Sequence, residues 1–312
     1  MASTIFYLCV TVKSKSKFYF CSHSRLFSSN YSPLTSSSDS LHRYKFGRQL
    51  EGKPRRTIRR ILTSSVAMFA ENPVVSDVIA TMLSGGIALS LLRLWEETAK
   101  RGLFDQKLNR KLVHVSVGLA FMLCWPMFSI CPSSGRQGAI MASLVPAVNI
   151  IKMLLLGLGI WKDYATVKSM SRFGDHRELL KGPLYYASTI TLAGAIYWRT
   201  SPIAIAAICN LCAGDGIADI VGRRFGSHKL PYNRNKSIVG SIAMATAGFL
   251  ACIGYMHYFS SFGYVQESPK MVLGFLVVSL AASLVESHPL STELDDNLTV
   301  PLASVLVGSF VF

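Results

Sequence analysis

From residue 75 to its last residue, Phe312, the chain is a series of apolar runs separated by short loops that hold most of the charge. Many runs are close to the ~20 residues that carry a helix across a bilayer. A backbone in hydrocarbon must satisfy its own hydrogen bonds, so runs of this length read as helices. They cover residues 75–95, 112–131, 138–161, 183–198, 202–220, 237–259, 271–286 and 298–312. Several are short and the last ends with the chain, so the expectation is an all-α polytopic membrane protein with seven or eight spans. Half of the residues are hydrophobic, 16% are charged and the mean hydropathy is +0.36, which is too apolar for a soluble domain.

A net charge of +15 points at first to nucleic acid, but its location removes that partner. Most of the excess lies between Lys13 and Arg60, where Asp39 and Glu51 are the only acids, in a segment that also carries the Ser36-Ser37-Ser38 run. Basic, Ser-rich and nearly free of acid, residues 1–65 read as a disordered organellar transit peptide, with the Ser content favouring a plastid. They are set apart from a membrane domain spanning residues 71–312. Within that domain, loops 100–111, 162–181 and 223–236 hold several basic residues each, and those around Arg136, Arg199 and Lys270 hold one. Rich and poor alternate strictly, as the positive-inside rule requires if each helix crosses once. The rich loops, together with segment 288–297, therefore share one membrane face.

The stretch that organises the rest is 202–237. Its apolar run ends at Asp215 and Asp219, a basic loop follows, and Lys236-Ser237 opens the next run. Carboxylates at i and i+4 share one helix face and repel unless something positive lies between them. A divalent cation carrying nucleotide phosphates fits, because Mg²⁺ is held by one or two carboxylates plus phosphate oxygens. The plain alternative is a solvated pair at a helix end, bridged to Arg223 and Arg224. Lys236 at the start of a helix can grip phosphate with help from the helix amides. The glycines of a Walker loop are missing before it, so that motif is rejected.

On the same face lie Arg110, Lys111 and His114 before the second run, and Glu286, Asp295, Asp296 and Asn297 after the seventh. His114 is a base or a packed core histidine, and Arg110 and Lys111 bind phosphate or snorkel. Asp295-Asp296-Asn297 is a helix cap or part of a metal site. The mixed charges of Arg172, Asp175, Arg177 and Glu178 read as a solvated loop, and Lys152 is an isolated charge inside the third run. Cys209 and Cys212 form a C-x-x-C within an apolar run, and without a second pair they read as small core residues.

These motifs, in order, resemble the plant phytol and farnesol kinases of the polyprenol kinase group, which includes the dolichol kinases. The likeness rests on Arg110-Lys-Leu-Val-His114, Cys212-Ala-Gly-Asp-Gly-Ile-Ala-Asp219 with Gly222-Arg-Arg-Phe-Gly226, Leu230-Pro-Tyr-Asn233, Asn235-Lys-Ser237, Val285-Glu-Ser287 and Asp295-Asp-Asn297. The segments 104–107 and 179–186 resemble chloroplast farnesol kinases in particular. The resemblance implies phosphoryl transfer from CTP, with Mg²⁺, to the hydroxyl of phytol, farnesol or geranylgeraniol in a chloroplast envelope membrane, serving phytol salvage and tocopherol synthesis. Asp215 and Asp219 would hold the metal. Lys236, Ser237, Arg223, Arg224 and Lys111 would meet nucleotide and phosphates, and Asp295, Asp296, Glu286 and His114 would complete the catalytic set. The Gly-Asp-Gly block also resembles membrane CDP-diacylglycerol synthases, so a CTP-using lipid-phosphate cytidylyltransferase is the alternative. An ion-coupled transporter ranks lower, since its charges belong near the bilayer midplane.

Overall fold

The computed structural model describes residues 72–129 and 136–312. The segment expected to be a transit peptide, residues 1–65, lies outside the described residues. Each apolar run becomes a helix, and short polar residues set the starts. Asn72 caps α1 (Pro73–Lys100), and Asp105 caps α2 (Gln106–Leu123) by accepting the amide of Leu108 at 3.1 Å. Next come α3 (Gln137–Gly157), the short α4 (Tyr164–Met170) and α5 (Gly182–Ile196). Ser201, with Pro202 at the first helical position, starts α6 (Pro202–Cys209). A π-turn, Asn210–Asp215, continues α6 directly into α7 (Gly216–Phe225). After a hairpin come α8 (Ile238–Ser261), α9 (Pro269–Ser287), the short α10 (Pro289–Leu294) and α11 (Asp296–Val311).

Among the described residues, five helices are long and apolar enough to cross a membrane: α1, α3, the composite Pro202–Phe225, α8 and α9. The expectation of seven or eight spans is therefore reduced to five candidates with three further helices beside them. The reasons are local. α2 carries Lys107, Arg110 and Lys111 in its first half, α5 has 15 residues, and α11 has 16. The composite helix is the hub: 78% of its most apolar window is buried against protein, compared with 17% for α1. Its neighbours pack at van der Waals distance through glycine. A Cβ on Gly222 would stand 3.4 Å from the Gly240 Cα and 3.2 Å from Ser237 Oγ, so α7 and α8 touch backbone to backbone there.

The basic loop after α7 is not irregular. Lys229–Leu230 (β1) pairs antiparallel with Asn233–Ser237 (β2), the one small sheet among the described residues. Asn233 donates to the Ser287 carbonyl at 3.0 Å and the Tyr232 hydroxyl meets Ser287 Oγ at 2.9 Å, which clamps the hairpin to the end of α9. Lys152 is not alone either. Its ammonium lies 2.9 Å from Thr166 Oγ1, 3.7 Å from Glu96 and 3.8 Å from Asp163, tying α3 to α1 and α4. Tyr186 turns inward and donates to the His114 carbonyl at 2.6 Å. Cys124, Cys209, Cys212 and Cys252 are free and buried.

Candidate active site

One cavity of about 380 Å³ gathers side chains from all three basic-rich loops and from the segment after α9. Its cations are Lys107, Arg110, Lys111, Arg172, Arg223, Lys229 and Lys236, and its acids are Asp215, Asp219, Glu286, Asp295 and Asp296. Residues nearly two hundred positions apart meet here because helices α2, α7, α9 and α11 and the hairpin all bring one end to this face.

Asp215 stands at the π-turn, an irregularity that is frequent at functional sites because it re-aims side chains on an otherwise regular helix. It is buried, with Lys111 Nζ 2.7 Å and His114 Nε2 3.3 Å from its Oδ2. His114 Nε2 also lies 2.7 Å from the Leu211 carbonyl, which can only accept, so that nitrogen carries its proton. Opposite, Lys236 extends from β2 to bond Glu286 and, at 2.9 Å, Asp296. Burial disfavours the ammonium, but Asp296, Glu286 and Asp215 together outweigh it and hold the Lys236 pKa above its ordinary value.

Oxygens of Asp215, Glu286 and Asp296 lie within 4.8 Å of one another. Three hard carboxylate donors suit Mg²⁺ or a similar divalent cation. A second observation supports that fit: Asp296 Oδ1 is buried with no hydrogen-bond partner, so one acceptor of the cluster is left unused. Arg110 Nε and Asn297 Oδ1 are likewise buried and unpaired. Burial, and Arg172 after it, draw the Arg110 pKa below its ordinary value against the opposing pull of Asp215, Asp219 and Asp295.

Asp295 has φ +74°, a region that non-glycine residues seldom occupy. Its Oδ1 accepts from the Asn297 amide at 3.0 Å and from Asn297 Nδ2 at 2.6 Å, capping α11. The cap and metal-site readings of this tripeptide thus divide between neighbours: Asp295 caps, while Asp296 faces Lys236.

No family model and no solved structure matches the chain. Relatives match at high identity. A probable phytol kinase 3, chloroplastic, of Glycine max is 69% identical over 244 residues, which is 78% of this chain and 75% of that protein. A probable phytol kinase 2, chloroplastic, of Oryza sativa subsp. japonica is 63% identical over 83% of this chain and 86% of its own. The farnesol kinase, chloroplastic, of Arabidopsis thaliana is 63% identical over 81% and 82%. The chain belongs to the phytol and farnesol kinase family. It is a phosphotransferase with an alcohol acceptor.

Within this kinase, the residues singled out in the sequence separate by position. Asp215, Glu286, Asp296, Lys236 and Lys111 are brought together, with His114 behind Asp215 and Ser237 capping α8 beside them through the Gly240 amide at 3.1 Å. Asp219 lies apart from the cluster of three carboxylates. It bridges Arg223 at 2.8 Å on the cavity rim, and its side chain keeps about a third of its exposure. Arg224 is exposed against the Phe225 ring and does not line the cavity. Arg172 and Lys107 do, although the mixed charges around Arg172 made it read as a solvated loop in the sequence.

Proposed function

We propose that this kinase transfers the γ-phosphoryl group of CTP to the hydroxyl of a long isoprenoid alcohol. Phytol is the leading acceptor, with farnesol and geranylgeraniol beside it. The reading is carried by one observation: Lys236 set among Glu286, Asp296 and Asp215, beside an unpaired Asp296 oxygen, in a cavity rimmed by arginines. Phosphoryl transfer needs positioning and charge neutralisation more than covalent help, and this grouping offers both. Asp215, Glu286 and Asp296 would hold Mg²⁺, which when bound neutralises nucleotide phosphate oxygens. Lys236, Arg110, Arg172 and Arg223 would meet the phosphates.

His114 and Lys111 keep Asp215 ionised and aimed. Asp295 is assigned as the base, since Asn297 fixes one of its oxygens and the other borders the cavity near Gly182. The alcohol oxygen attacks the γ-phosphorus, its proton passes to Asp295, the bond to the β-phosphate oxygen breaks and CDP leaves. The relatives' names include the word chloroplastic, and residues 1–65 have plastid-leader composition, so a chloroplast envelope location and a role in returning phytol to tocopherol synthesis follow within the same reading. An alcohol-by-nucleotide activity matrix on recombinant membranes tests it. Phytyl or farnesyl monophosphate should form with CTP and Mg²⁺. Pyrophosphate release in place of CDP would move the chain to the cytidylyltransferases, and silence with every prenyl alcohol would end the kinase reading.

A further inference from the structure

A second, larger space lies apart from the charged cavity, with Lys152 the one charged residue on its lining among the described residues. About 540 Å³ opens among α1, α2, α3 and α5, inside the ~300–1,000 Å³ range of small-molecule sites. Its walls are almost wholly apolar, with Met82, Leu89, Phe121, Val148 and Ile190 among them. The Thr81 hydroxyl on its wall is already used by the Asp77 carbonyl at 2.8 Å. The space exists because side chains are missing. A Cβ on Gly86 would meet nothing within 4 Å, and the nearest atom to one on Gly85 is Val145 Cγ2 at 3.9 Å. Across from them Pro146 interrupts the hydrogen-bond ladder of α3.

The groove is not isolated. Leu92, Val117, Asn149 and Tyr186 line both it and a narrow neck of about 50 Å³, whose other wall carries Arg110, His114 and Asn297. Arg110 in turn lines the charged cavity. Polarity therefore rises in one direction, from aliphatic wall through Asn149 and Tyr186 to the unpaired Arg110 Nε and Asn297 Oδ1. A hydroxyl can accept from the first, and Asn297 is itself bonded to Asp295, the residue assigned to take the hydroxyl proton. A ligand with one hydroxyl at the end of a long branched hydrocarbon matches this gradient along its whole length.

We propose that the groove between α1, α3 and α5 is the isoprenoid-chain site, and that the neck delivers the hydroxyl from the lipid side while nucleotide enters the charged cavity from water. The proposal rests on the kinase reading above for the identity of its occupant. It makes Gly85, Gly86 and Pro146 determinants of accepted chain length.

Two measurements on the full-length protein in membranes test it. A phytol analogue with a photoreactive diazirine in its chain should label α1 and α3 in the groove, and unlabelled phytol should compete. Gly86→Trp, which fills the groove from a helix position with free space around it, should lower kcat/KM for a C20 alcohol about tenfold or more relative to a C10 alcohol, because the lost contacts are apolar. Labelling elsewhere overturns the proposal. So does groove labelling that phytol does not displace, the sign of an ordinary lipid chain, and so does an unchanged chain-length ratio in folded Gly86→Trp. Competed groove labelling in a protein that phosphorylates no alcohol would sustain the groove and reject the kinase reading, so the two fail separately.

Discussion

Two buried charged clusters sit near opposite ends of α2, and they are finished differently. At one end Asp77 is fully buried and accepts from the Ser129 amide at 2.7 Å and its hydroxyl at 2.9 Å. Arg199, 3% exposed, donates to the carbonyls of Trp125, Phe128 and Ser129 at 2.7, 2.9 and 2.8 Å and lies over the Tyr264 ring. Among the described residues, no atom of either charged side chain there is buried without a partner, and the unpaired Trp125 indole nitrogen is neutral. At the other end Asp296, Asn297 and Arg110 each leave a buried polar atom unmatched, among residues that line the charged cavity and its neck. Burying an unpaired polar atom destabilises a fold by about 1–3 kcal/mol and a charged one by more, so a cluster that serves only stability closes the bonds of its charged groups, as Asp77 and Arg199 do. The open end is shaped for something that arrives from outside.

If that difference is functional, the two clusters must respond to substitution in different currencies. The largest effect is expected at the closed end. Arg199→Ala strands three carbonyls and should lower stability by about 3–5 kcal/mol, read as a fall in thermal midpoint in detergent. Turnover per folded molecule should stay close to wild type. A variant that unfolded no earlier, yet lost activity, would reverse the assignment of the two ends. Asp296→Asn at the open end should do the converse. Its shape is kept, and the weakened bond to Lys236 is offset by relief of the repulsion from Asp215, so the thermal midpoint should move less than in Arg199→Ala while kcat falls about 10²–10³-fold. Steady-state kinetics at saturating Mg²⁺ beside a melting curve decide it.

The order of the main helices was readable in the sequence because hydropathy marks each run. The bounds were not readable throughout: the predicted run 112–131 became a helix at Gln106–Leu123, since its cap Asp105 and first basic turn precede the apolar residues. The predicted run 271–286 lies inside α9, and Ser268-Pro269 marks its start. The convergence of the charged segments on one face followed from the alternation of basic and neutral loops. What could not be read was which acid meets which cation, because that depends on helix rotation and on packing across distant segments. Asp219 and Asp215 look equivalent at i and i+4, yet the latter lies at the π-turn and points to the core, and no local pattern announces a π-turn. The hairpin that carries Lys236 was hidden as well, since Pro231 and a run of basic residues read as loop. Arg172 was set aside as solvated, although its backbone amide and that of Phe173 are held by Glu178, which folds the loop over the cavity. Lys152 had no partner within its own run because its acids come from α1 and the cap of α4.

The finest test of the comparison lies inside the open end, between two acids of the same helical stretch. Asp219 is paired with Arg223 four residues on, at a partly exposed position where such bridges contribute about 0–1 kcal/mol. If the three inward carboxylates, and not the i, i+4 pair, grip the metal, Asp219→Asn should change kcat and the Mg²⁺ requirement by no more than about threefold, with the thermal midpoint unmoved. A Mg²⁺ titration of activity reads this directly. A rise of a hundredfold in the Mg²⁺ needed for half-maximal rate would return Asp219 to the metal site. It would also show that Arg223 releases this carboxylate when nucleotide binds, so that the rim as well as the buried cluster belongs to the chemistry.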